Sequence, residues 1–200
     1  MARVLFGILL GILIVPVGVG IWLYNGQVPV AVTDPPLPNE EQIMHIPLNA
    51  RIQKELIQMS PIQPSAQVYI AGAHIYAEKC SVCHGFHGKP STIGESMYPA
   101  APPLWEKHHS SSVVGVSDDP AGETYWKVAN GIRFTGMPEF RSQMTNDELW
   151  EVSLLLADAD KPLPPAAVSI LKGESVPASG TATPADSSEG SSPKVSSDSQ

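Results

Sequence analysis

Cysteine is scarce: the 200 residues hold two, Cys80 and Cys83, enough for one disulfide at most and too few for a disulfide-built scaffold. Cationic residues are scarce too. Twelve Lys and Arg face twenty Asp and Glu, for a formal net charge of −8. Such a balance argues against a nucleic-acid partner, because phosphate binding needs a basic surface. Aromatic residues make up only 6% and prolines number twenty, so much of the chain is extended or loop. Sustained alternation of apolar and polar residues is also missing, which argues against a sheet and for an all-α domain.

What is plentiful at the start is apolar length. Val4 to Tyr24 carries no charge, and about 20 such residues suffice for a helix across a bilayer's hydrocarbon core. Arg3 precedes the run, and Asp34, Glu40 and Glu41 are the first charges after it. The excess of positive charge on the cytoplasmic side then leaves the N-terminus inside and exports the rest. Residues 1–24 read as a single-pass anchor. A cleaved signal peptide, with Gly18 and Gly20 near its cleavage site, is the alternative; the apolar run continues through Ile21, Trp22 and Leu23, which favours the anchor. Either reading places the cysteines in an oxidising space.

Residues 25–62 read as a proline-rich spacer with a short amphipathic helix within Leu48–Met59, its apolar positions Leu48, Ile52, Leu56 and Met59. Residues 63–172 form the one stretch able to build a full core. Three helices are expected there: Ser65–Cys80; Pro120–Asn130, with Asp119 as N-cap, Pro120 at the first helical position and Gly131 as its stop; and Asn146–Asp158, opened by Thr145 and Glu148 at capping-box spacing. Residues 173–200 are mostly Ser, Pro, Thr, Gly and Ala and read as a disordered tail.

Both cysteines lie in Cys80-Ser-Val-Cys83-His84, the C-x-x-C-H spacing of c-type haem attachment. Two thiols on one side of a helix end can add to the two vinyl groups of haem, and the next imidazole becomes the proximal axial ligand. Three other chemistries compete. A thioredoxin-like pair wants a βαβ context that is absent here. Zinc held by Cys80, Cys83, His84 and His87 would crowd four ligands into eight residues. A plain disulfide leaves His84 unexplained. A second feature favours haem: Met137 sits between Gly136 and Pro138 in the stretch Asn130–Phe140. A tight turn at the glycine and a fixed φ at the proline would present its thioether from a rigid loop, as a sixth iron ligand. Met44, Met59, Met97 and Met144 all read first as core filler. Met97 is the rival distal ligand; His108 or His109 would give bis-histidine ligation, but their polar loop suits exposure.

These stretches resemble a single-haem, class I cytochrome c of the membrane-anchored bacterial kind, over roughly Ala66 to Leu171. The resemblance rests on the segment Gly72–Gly85 with the haem motif, on Pro102-Pro103-Leu104, on Gly122–Phe140 with the methionine, and on the helix Asp147–Leu156. It implies helices packed around one covalent haem c. It further implies that the Pro102 carbonyl orients His84, that Leu104 packs on the haem, and that Trp150 crosses the first helix near Gly72. Tyr125, Trp126 and Arg133 are candidate pocket residues by the same resemblance. Iron with His and Met on both axial positions carries single electrons and has no open site for a small-molecule substrate. The implied role is an electron carrier in the periplasm, anchored in a bacterial inner membrane. Its partners would be a quinol-oxidising complex, a dehydrogenase or a terminal oxidase. It would act as a mobile shuttle, as a fixed subunit of a larger complex or, if Met137 left the iron free, as a haem sensor or enzyme. The acidic balance calls for a basic docking surface and salt-sensitive association.

Overall fold

The computed structural model describes residues 1–26, 28–107 and 112–174. Among them there are helices and two isolated bridges but no strand. Helix α1, Ala2–Tyr24, has a mean hydropathy of 2.8 and no buried residue. It is long and apolar enough to cross a membrane, which suggests an anchor. Pro16 lies within it.

Helix α2 spans Glu40–Glu55 rather than 48–59, and Pro47 lies inside it. Glu40 and Glu41 in its first turn and Lys54 in its last suit the helix dipole. Only Ile52 of its apolar positions is buried. Leu56 lies beyond the helix end. Met59 is 83% exposed and Met44 is exposed as well, so neither is core filler. Each lies where the chain packs against little else. Met144 is buried in the core.

Helix α3, Ala66–Ile75, begins where the Ser65 side chain accepts from the Val68 N–H at 3.3 Å. It runs without a break into a π-helical turn, Tyr76–Cys80, and a single α turn, α4, Ser81–His84. Helix α5 is another single turn, Thr92–Glu95. Helix α6, Ala121–Asn130, starts one residue later than expected, with Pro120 as N-cap. Asp119 does not cap it. Its carboxylate instead takes the Lys127 ammonium at 2.8 Å, and Glu123 takes the same group at 2.7 Å. Burial disfavours the Lys127 charge, but the two carboxylates outweigh it and hold its pKa above the ordinary lysine value.

Helix α7, Asn146–Ala157, opens with the expected capping box. Thr145 Oγ1 accepts from the Glu148 N–H, and Glu148 Oε2 accepts from the Thr145 N–H at 2.7 Å. Its Leu149, Trp150, Val152, Leu155 and Leu156 are buried. A short α8, Pro165–Leu171, which the sequence reading missed, closes over α3 with Ala167, Ile170 and Leu171.

The core forms where α3 crosses α7 and α6 packs beside them. Trp150 directly precedes the residue of α7 that meets Gly72. A Cβ built on Gly72 would stand 2.5 Å from the Glu151 carbonyl oxygen and 3.1 Å from Leu155 Cβ, so that glycine is what lets the backbones meet. Trp150 stacks on Tyr125 of α6, with ring centroids 4.4 Å apart at 19°. Gly72→Ala forces backbone against backbone. It is expected to destabilise by about 1–3 kcal/mol, read as a lower thermal midpoint in circular dichroism.

Candidate haem site

The segment bearing Cys80, Cys83 and His84 is the continuation of α3. In the π turn the Ser81 N–H reaches back to the Tyr76 carbonyl. The extra residue rotates everything after it relative to α3, a device often found at functional sites. Ser81 Oγ donates to the Ala77 carbonyl at 2.7 Å, giving that carbonyl a partner. Below the motif, buried Tyr76 donates to the Gly85 carbonyl at 2.7 Å and ties down the end of α4. Burial pushes the Tyr76 hydroxyl pKa well up, so the phenol stays a donor. The ring of Trp105, also buried, meets Tyr76 edge-on at 5.4 Å. Sequence reasoning missed Trp105.

His84 Nδ1 lies 2.7 Å from the Pro102 carbonyl oxygen. A carbonyl can only accept, so Nδ1 carries the proton and Nε2 keeps its lone pair for a metal. Burial lowers the His84 pKa, with the Pro102 bond opposing it, and the neutral ring is the form that can ligate. Cys80 and Cys83 are both half-buried and are not joined to each other as a disulfide. Burial above all, and then the neighbouring Cys83, push the Cys80 thiol up to about 12. Leu104 is buried two residues beyond Pro102. Among the described residues no group of three or more His, Cys, Asp or Glu is placed to hold a bare metal ion, so the zinc constellation with His87 does not assemble.

Met137 is half-buried and packs against the hydrophobic core. Its loop is tight, and Gly136 lies in a bend of it. The left-handed residues are Gly131, at φ +66°, and Phe134, at φ +64°. A Cβ on Gly131 would stand 2.7–2.9 Å from the backbone of Pro138, Glu139 and Met137. The backbone on both sides of Met137 is held: its N–H donates to Thr135 Oγ1 at 3.1 Å, and its carbonyl accepts from the Ile132 N–H at 3.3 Å. Thr135 Oγ1 in turn donates to the Ile132 carbonyl at 2.7 Å.

The remaining candidates scatter. Tyr125 is buried against Trp150, its hydroxyl donating to Asn146 Oδ1 at 2.8 Å. Trp126 turns to α2, where its indole N–H donates to Glu55 Oε2 at 2.9 Å and holds that carboxyl below the usual range. Arg133 is exposed. His108 and His109 lie outside the described residues, as does the tail from residue 175. Met97 is half-buried beside Gly136.

The family described as cytochrome c oxidase, cbb3-type, subunit III matches residues 68–154, a span containing the C-x-x-C-H motif, Pro102 and the Met137 loop. The domain is a class I c-type cytochrome. Its cofactor is a covalently bound haem c, and the Cys80–Cys83 spacing fits that attachment. The chemistry of the cytochrome domain is haem-based electron transfer, as a carrier or as a subunit. A comparison of the chain with curated proteins finds no match.

Proposed function

We propose that this cytochrome is a membrane-tethered, periplasmic one-electron carrier of a respiratory-type chain. In this reading Cys80 and Cys83 form the two thioether links, and His84 and Met137 take the two axial positions. Haem supplies a one-electron iron couple, whose potential a methionine ligand raises. The single observation carrying the reading is the 2.7 Å contact between His84 Nδ1 and the Pro102 carbonyl, which sets the imidazole's tautomer and aim. The π turn directs the motif, and Gly131 with Thr135 fixes the backbone that offers the thioether. Leu104 supplies apolar cover that keeps water from the proximal side. Tyr125, by its buried stack on Trp150, supports the pocket from the core, while Arg133 stands ready at the loop surface for a propionate or a partner's carboxylate.

Two observations favour a fixed subunit of an oxidase or dehydrogenase complex as the second reading. The matching family is described by an oxidase subunit. Also, α2 packs on α6, joined to it by the Glu55–Trp126 bond. The free tether between α1 and α2 is then only residues 25–39, which extends to at most about 50 Å. Donor and acceptor are drawn from a quinol-oxidising complex, a dehydrogenase and a terminal oxidase, and a basic surface on one of them would complement the charge of −8.

Potentiometric titration of the detergent-solubilised protein tests the carrier reading. A reversible one-electron wave, with no carbon monoxide adduct in the reduced form, is the expected result. Ready carbon monoxide binding would point to a sensor or enzyme instead. Recovery of the protein in a larger complex after mild solubilisation would select the fixed-subunit reading.

A further inference from the structure

A short segment links the helix that carries the cysteines to the loop that carries Met137. At one end, α5 rests on α4. A Cβ on Gly94 would fall 1.9 Å from the Cys83 carbonyl oxygen and 3.2 Å from Ala101 Cβ, so the two turns are in backbone contact. Ser91 secures this end, its hydroxyl donating to the Val82 carbonyl and accepting from the Gly94 N–H at 3.1 Å. The Gly94 carbonyl then accepts from the N–H groups of both Met97 and Ala101, at 3.3 and 3.0 Å, which closes the following stretch into a compact loop. From that loop the Met97 side chain reaches the other element. Its Sδ lies 2.7 Å, and its Cε 3.2 Å, from where a Gly136 Cβ would be. Gly136 does not have a left-handed φ. The space over its Cα is filled by Met97.

We infer that Met97 is a positioning residue. It clamps the loop that carries Met137 to the haem-attachment segment and so sets how readily Met137 leaves the iron. This rests on Met137 being the distal ligand. A thioether is suited to the task, because it is apolar, unbranched and able to follow a small movement of the loop. Without it, the contact between Gly136 and the α5 loop is lost, while the loop keeps its own turn, the core packing of Met137 and Phe140, and the Phe140 and Arg141 N–H groups bonded to Val128 and Ala129.

The test uses the full-length haem-loaded protein and imidazole as an external ligand competing for Met137's place. Met97→Ala should tighten imidazole binding to the oxidised protein about tenfold, while the far-red thioether-to-iron band persists without imidazole. Gly136→Ala should do nearly the same, since its methyl meets only the far end of Met97 and pushes it aside. The double variant should be no worse than Met97→Ala alone, because the displaced side chain is already gone; this non-additivity marks a direct contact. Met97→Leu, which keeps the packing, should stay near wild type. Unchanged imidazole affinity in Met97→Ala with the far-red band intact would overturn the clamp and leave the ligand assignment standing. Loss of the band in Met97→Ala with retention in Met137→Ala would make Met97 the ligand and sink both. A wild-type protein without the band would also remove both.

Discussion

His84→Ala is expected to yield protein with essentially no correctly incorporated haem. Each structural relation at this residue points to one chemical task. The Pro102 carbonyl accepts from Nδ1 at 2.7 Å, burial lowers the ring's pKa, and Nε2 is left with its lone pair. Alanine removes that donor and leaves the Pro102 carbonyl without its partner. On the proposed ligand set, the haem would then lack its proximal ligand. The measurement is haem per polypeptide by pyridine haemochrome, expected to fall from one to near zero. Because such a variant can also fail to accumulate, Cys83→Ser serves as a companion. It keeps His84 and one thioether, so the haemochrome band should move toward that of a porphyrin retaining one vinyl group. A Cys83→Ser protein with an unshifted band would contradict two-point attachment.

Met137→Ala is expected to leave the haem attached and to change what the iron can do. The thioether is lost while its loop remains tied by Gly131, Thr135 and the Phe140 N–H. Haem content should stay at one per chain. The reduction potential should fall on the order of 0.1–0.2 V, a fraction of the roughly 0.8 V that axial ligand choice spans. The reduced form should now bind carbon monoxide and the far-red band should vanish. Unchanged potential and band would assign the sixth position elsewhere. Met97, whose sulfur lies against the neighbouring Gly136, would be the first residue to replace next.

The features legible in the sequence are those that nearby residues decide. The capping box of α7 needs only Thr145 and Glu148, and the stop of α6 needs only Gly131, at φ +66°. The C-x-x-C-H spacing is likewise local. What escaped depends on hydrogen-bond register or on partners far along the chain. The π turn at Tyr76–Cys80 is one extra residue in a helical ladder, invisible to composition. Helix α8 has seven residues, too few to show a period. Helix α2 runs through Pro47, where a proline argues for a break. Trp126 pairs with Glu55, 71 residues away, and Trp105 meets Tyr76 across the motif. Gly136 read as a turn residue, and what its sequence neighbours could not show is that it also makes room for Met97. Gly72 was read as the crossing point, and its neighbours across the crossing are Glu151 and Leu155.

Electron transfer by this chain stands on one haem joined to Cys80 and Cys83. The most direct test is the intact mass of the purified full-length protein after extraction with acidified organic solvent, taken with its pyridine haemochrome spectrum. The expected result is a polypeptide heavier by one haem that survives extraction, with the spectrum of a porphyrin bearing two thioether links. A mass equal to that of the amino acids alone, with all colour in the organic phase, would contradict it.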